Sequence, residues 1–164
     1  MRTIALINSK MRAIVSDRDF KLVSKYRWKL MKSGYAYCQP KKEEYGSGPR
    51  PTYLLHRLVM GFPKFELDHK DRNKLNCARS NLRKCTPSQN LANRGKLKTN
   101  TTGYLGVYLD KRTGKFIAKM RVNKKNLHIG VFDSPVAAAK ARDAHARKHH
   151  RQFAYVNFSG GSHF

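Results

Sequence analysis

Residues 95–102, GKLKTNTT, carry one apolar side chain in eight positions and cannot contribute to a core. Such a polar, turn-prone stretch reads as a linker. It leaves residues 1–94 on one side and 103–158 on the other, each long enough for one small core. Residues 159–164, SGGSHF, read as a tail. The chain is therefore expected to fold as two modules.

The charge balance limits what those modules bind. Lys plus Arg is 35 against 10 for Asp plus Glu, a formal net charge of +25. An excess of this size repels itself in a compact state and attracts polyanions. The cations run from Arg2 to Arg151 among Tyr, Phe, Leu and Val, which favours folded nucleic-acid-binding surfaces over a basic arm. No run approaches the ~20 apolar residues of a membrane span, and Asn8, Ser9, Lys10 and Arg12 interrupt any signal-peptide core. A membrane partner and a small-molecule cofactor are not expected. Cys38, Cys77 and Cys85 form an odd set without a CxxC pair. They suit a reducing cytoplasm, a bacterial host's if the gene is a phage's, and imply neither a disulfide framework nor a structural zinc.

On the N-terminal side, TIALI, RAIV, YAYC and TYLLHRLV are short β-branched or aromatic runs between turn residues and predict strands of a small sheet. His56, in the last of them, reads as a packed strand histidine. DRDFKLVSKYRW predicts a helix, with Asp17 or Asp19 as N-cap. KKEEYGSGPRP, residues 41–51, reads as a loop.

The C-terminal side is more regular. GYLGVYLD, KFIAKMRV and NLHIGVF predict three strands joined by KRTG and NKK turns. Ser134 and Pro135 then begin a helix as N-cap and N1, and its alanines allow close packing on the sheet. Strand alternation turns Phe116, Ala118, Met120 and Val122 toward the helix and Lys115, Ile117, Lys119 and Arg121 outward. Leu127 and Ile129 face inward, Asn126 and His128 outward. With Lys111, Arg112, Lys124 and Lys125 in the turns, the open face is strongly positive. It is about as wide as a DNA major groove, although a solvated basic face has the same alternation.

Residues 103–158 resemble the AP2 DNA-binding domain in the G-V of the first strand, K-F-x-A-x-x-R, I-G-x-F, the Ala-rich helix and the closing N-F. The resemblance implies a three-stranded sheet lying in the major groove, with Arg121 at a contact position. Leu105, Tyr108 and His128 depart from the residues frequent in plant members, so it implies no base preference.

The segment ELDHKDRNKLNCARSNLRKCTPSQNLANR, residues 66–94, carries the chemistry. Cleaving a phosphodiester needs a base for water, a cation for the charge on phosphate and leaving oxygen, and a scaffold that aligns them. A neutral histidine suits the first task near physiological pH, and His69 is the candidate. Carboxylate and amide oxygens suit Mg²⁺, for which Asp68 supplies one and Asn90 a second. Neighbours on a strand point to opposite sides, so Asp68 can reach a cation while His69 faces the water. TPSQNLANR predicts a helix with Thr86 as N-cap and Pro87 at N1. Each residue also has a plainer reading: Asp68 and His69 as a solvated turn, Asn81 as a turn residue bonding its own backbone, Asn90 as helix-surface polarity.

Taken together, LLHRLVMGF, ELDHKDRNKLN and SNLRKCTPSQNLANR resemble the HNH endonuclease motif of phage and intron homing endonucleases, in the variant whose third residue is asparagine. Asn81 follows His69 by 12 positions and Asn90 follows Asn81 by 9, as in that motif. The resemblance implies that His69 is the general base, that Asp68 and Asn90 bind one divalent cation, and that Asn81 orients the loop carrying the histidine. Asn93, one turn beyond Asn90, ranks second for the cation. Lys70, Arg72, Arg79, Arg83, Lys84 and Arg94 are expected to hold the DNA backbone.

The expected fold class is α+β: a ββα-metal nuclease domain behind a small N-terminal sheet, then an AP2-like three-stranded sheet on one helix. The expected function is a metal-dependent homing-type endonuclease on double-stranded DNA, with Mg²⁺ preferred and Mn²⁺ substituting. A monomer is favoured; a lone HNH site cuts one strand at a time, and the sequence does not decide between nicking and double-strand cleavage. A DNA-binding regulator or architectural protein without catalysis is the alternative, and RNA binding ranks third.

Overall fold

The structure is a computed structural model that describes residues 1–96 and 100–158; part of the expected linker and the expected tail lie outside the described residues. The chain divides into two compact units, Met1–Thr86 and Pro87–Phe164. No described helix is long and apolar enough to cross a membrane.

The first unit opens with an antiparallel hairpin, β1 (Arg2–Leu6) and β2 (Ser9–Val15), followed by α1 (Asp17–Val23). Ser16, not Asp17 or Asp19, occupies the N-cap position. Its hydroxyl accepts from Arg79 N at 3.0 Å, and both aspartates fall in the first turn, where carboxylates suit the helix dipole. A three-stranded antiparallel sheet follows, in order β3 (Lys29–Leu30), β4 (Ala36–Cys38) and β5 (Tyr53–Leu54). Within the loop of residues 41–51, Lys42–Glu44 make one 3-10 turn.

The predicted strand TYLLHRLV is mostly a helix. Only Tyr53 and Leu54 pair as β5, and Leu55–Val59 form α2. Leu55, Leu58 and Val59 lie at i, i+3 and i+4 and are all buried, so the helical period prevails over aromatic and β-branched composition. These three residues join Val15, Val23, Trp28, Leu75, Cys77 and Leu82 in one core. Trp28 is 1% exposed, and its indole N–H donates to Val23 O at 2.8 Å. The unit closes with β6 (Glu66–His69) paired antiparallel with β7 (Leu82–Cys85).

The second unit begins with a short helix, α3 (Pro87–Ala92). A three-stranded antiparallel sheet of β8 (Val107–Leu109), β9 (Phe116–Val122) and β10 (Lys125–Phe132) follows, with β9 central. It packs on α4 (Pro135–His150), where Ala138 and Ala139 are fully buried against Val107 and Ala118. Ser134 caps α4 by accepting from Ala137 N at 3.1 Å. Gly106 has φ of 76°, and a Cβ there would sit 2.6 Å from Lys119 O, so only glycine lets β8 approach β9 so closely.

Asp143 of α4, 1% exposed, ties the end of the chain to this sheet. It accepts from Asn157 N at 2.6 Å, Phe158 N at 3.0 Å and Asn157 Nδ2 at 3.0 Å, and pairs with buried Arg142 at 3.2 Å. Asn157 in turn accepts from Leu105 N at 2.7 Å. Removing one partner of a buried pair leaves an uncompensated charge, at a cost of about 3–5 kcal/mol. Asp143→Ala is thus expected to destabilise the second unit by about that amount in urea unfolding; a loss below about 1 kcal/mol would mean the carboxylate does not organise this end.

Candidate active site

The β6–β7 pair places the site. Its register sets Asp68 opposite Arg83 and His69 opposite Leu82. Leu67, Asp68 and His69 are all buried, so β6 is enclosed on both faces and neither candidate side chain stands in open solvent. Arg83 turns inward. Its Nε donates to Asp68 Oδ2 at 2.8 Å, its Nη2 lies 2.7 Å from the same oxygen, and its side chain is 11% exposed. Arg83 is therefore a partner of Asp68 rather than the exposed DNA-holding cation expected from sequence. Arg79 makes a forked contact to buried Asp19 at 2.9–3.1 Å while its side chain stays 36% exposed.

The loop between the strands is braced from within. Asn81 Nδ2 donates to Asp71 Oδ1 and to Asn76 O, both at 2.8 Å, and Asn81 Oδ1 accepts from Asp71 N at 3.1 Å. Lys70 N donates to Asn81 O at 2.9 Å. A single buried amide thus closes residues 70–81 directly after His69, well beyond the local turn bond that composition alone suggested. The Asp71 carboxyl is held below its usual range by donors from Asn76, Asn73 and Asn81, against the opposing effect of burial.

Burial lowers the pKa of His69, with Lys74 adding slightly; Asp71 and Asp68 pull the other way. The resting ring is biased toward the neutral form that can accept a proton. His56 of α2 lies against it, ring centroids 5.2 Å apart and edge-on. Tyr35 completes the wall at 5.2 Å from His56 and 6.1 Å from His69. The sequence suggests a packed strand histidine at His56, whereas the residue lies on α2. The i, i+3, i+4 apolar spacing around it was the available signal, since it puts His56 on a packed helix.

Asn90 lies on α3 and Asn93, 5% exposed, just beyond it, both in the second unit. In the first unit, Lys70, Arg72 and Lys84 are exposed. In the second, Lys119 and Arg121 project from β9 and Asn126 and His128 from β10, while Arg94, Lys111 and Arg112 are also exposed. Lys115 pairs with Asp133 at 3.1 Å, where both are open to solvent. Cys38, Cys77 and Cys85 are buried free thiols. Burial pushes Cys38 and Cys77 up to about 12 and Cys85 to about 11, so they stay protonated.

Residues 53–92 span α2, the β6–β7 pair and α3. That segment matches the HNH endonuclease family. An uncharacterized HNH endonuclease of Acanthamoeba polyphaga mimivirus is 38% identical over 84 residues, 50% of this chain and 43% of that protein. The chain thus spans less than half the length of that relative.

His56 makes the stability of this wall pH-dependent. Burial, with smaller contributions from His69 and Arg57, lowers it to about 4 from 6.5. Between those values the unfolded chain binds a proton that the native state refuses, so stability is full above pH 6.5 and falls as pH drops toward 4. The loss amounts to about 3 kcal/mol at most. Urea midpoints at pH 7.5 and 4.5 should therefore differ less for His56→Phe than for wild type, and an equal difference would show that His56 is not held neutral.

Proposed function

We propose that this chain is a metal-dependent endonuclease that hydrolyses a phosphodiester of double-stranded DNA, of the homing type, with its C-terminal sheet directing it to duplex. The observation that carries this reading is buried Asp68-His69 at the end of β6, with a neutral-biased imidazole beside an Asn81-braced loop, inside the HNH-matching segment.

His69 takes the proton of the attacking water as the new phosphorus–oxygen bond forms and the bond to the leaving oxygen breaks. Asn81 keeps the loop, and with it the strand end bearing His69, in one geometry. The donor types suit a hard cation: Asp68 is a buried carboxylate that would supply one oxygen. Asn90, with Asn93 second, would supply an amide oxygen. A divalent ion held by these residues, Mg²⁺ first and Mn²⁺ as substitute, would supply charge stabilisation for the phosphate and leaving oxygen. Lys70, Arg72 and Lys84 hold the backbone near the cut. The AP2-like resemblance and the exposed cations of β9 support duplex binding by the second unit.

One observation favours the rival reading of a non-cleaving DNA-binding protein. Arg83 already compensates the buried Asp68 charge without any ion. The two readings part on supercoiled plasmid with Mg²⁺, Mn²⁺ or chelator. Nicking is expected with either ion and none with chelator, and His69→Ala should lose about 10²–10⁴-fold in rate while binding DNA within about twofold of wild type. Equal nicking by wild type and His69→Ala would remove the assigned mechanism; absence of scission with every divalent ion would favour the rival. Wild-type affinity should also fall ~10³–10⁵-fold between 50 and 200 mM salt if ~6–10 phosphates are contacted.

A further inference from the structure

A cavity of about 440 Å³ in the first unit is bounded by the turn after α1, β3 and the segment 39–50, outside the HNH-matching residues. Lys25, Arg27, Lys29, Lys41 and Arg50 line it, against the single carboxylate of Glu44, a net +4. Among the described residues no ion pair involves any of the five; the pairs that form use the Met1 amino group, Arg2, Lys115 and the arginines at 79, 83 and 142. Glu44 is itself engaged, accepting from Tyr26 Oη at 2.6 Å and Lys41 N at 3.2 Å. Like charges gathered in a concave site focus the field and repel one another, a standing cost that an anion relieves.

The cavity is also partly organised in advance. Arg50 donates through Nε to Pro40 O at 2.8 Å and through Nη2 to Gln39 O at 3.1 Å. These bonds fix the guanidinium plane, and three of its five N–H donors are not used in them. All five cations are exposed. Exposed cations spread along a rim suit a backbone that passes over them, whereas a compact anion needs buried, convergent donors.

We infer that this cleft is a second contact site for the phosphate backbone of duplex DNA, on the nuclease unit and separate from the C-terminal sheet. It rests on the DNA-binding reading above and gives residues 25–50 a part in holding substrate.

The test uses the full chain and salt titrations of duplex affinity. The variant Lys25→Gln/Arg27→Gln/Lys41→Gln is compared with Lys10→Gln/Lys21→Gln/Lys64→Gln, which removes the same charge from exposed positions outside the cleft. Each lost phosphate contact makes the slope of log affinity against log salt shallower by about 0.9. A slope shallower by about 2–3 is expected for the cleft variant, and by less than about 1 for the other. Equal slopes for the two variants, with a steep wild type, would overturn the inference and leave the DNA-binding reading standing. A flat wild type would overturn both. A slope difference seen with structured RNA but not with duplex would show that the assigned partner is wrong. Unfolding midpoints of both variants within about 1 kcal/mol of wild type exclude misfolding as the cause.

Discussion

Two backbone hydrogen bonds carry the site of the first unit: Ile14 N to Leu75 O and Cys77 N to Ile14 O, both at 2.8 Å. They stitch the loop that follows His69 onto β2, residue by residue, as a short parallel bridge. Leu75, Cys77 and Leu82 then enter the same core as Val15 and Trp28. The N-terminal hairpin, which bears no catalytic motif, is thus the floor on which the loop rests. Without it, twelve turn-rich residues between β6 and β7 would have to pay their own ordering entropy.

Buried carboxylates organise the rest, and in both units they do so through arginine. Asp19 meets Arg79, Asp68 meets Arg83 and Asp143 meets Arg142. A planar fork with several donors satisfies a carboxylate oxygen and stays charged at any relevant pH, which a buried lysine does less reliably. In a chain with only 10 acidic residues, three arginines are engaged this way, two of them with largely buried side chains. A strongly basic composition therefore overstates the number of cations that face a polyanion.

The regular features were legible in residue order. The alternation of KFIAKMRV predicted which side of β9 is buried, and Ser134-Pro135 marked the start of α4, because strand period and cap chemistry are local. His69, Asn81 and Asn90 stood out as a set through their spacing, with Asp68 beside the histidine. The misreadings were equally particular. TYLLHRLV contains both aromatic, β-branched residues and a helical apolar period, and local composition did not say which would prevail. Asp17 and Asp19 looked like caps, yet Ser16 precedes the helix and Asp19 serves a residue 60 positions away.

By itself, the sequence determined the charge excess, the covered face of the C-terminal sheet and the start of its helix. These follow from side-chain type and short periodicities. Only the tertiary structure decided which arginines are inward, that His56 and Tyr35 wall His69, and that β2 carries the loop braced by Asn81. Such pairings join residues far apart in the chain, and burial rather than order in the sequence selects them. A basic side chain reads the same in one dimension whether it meets a carboxylate across a β-ladder or solvent at the rim of a cleft.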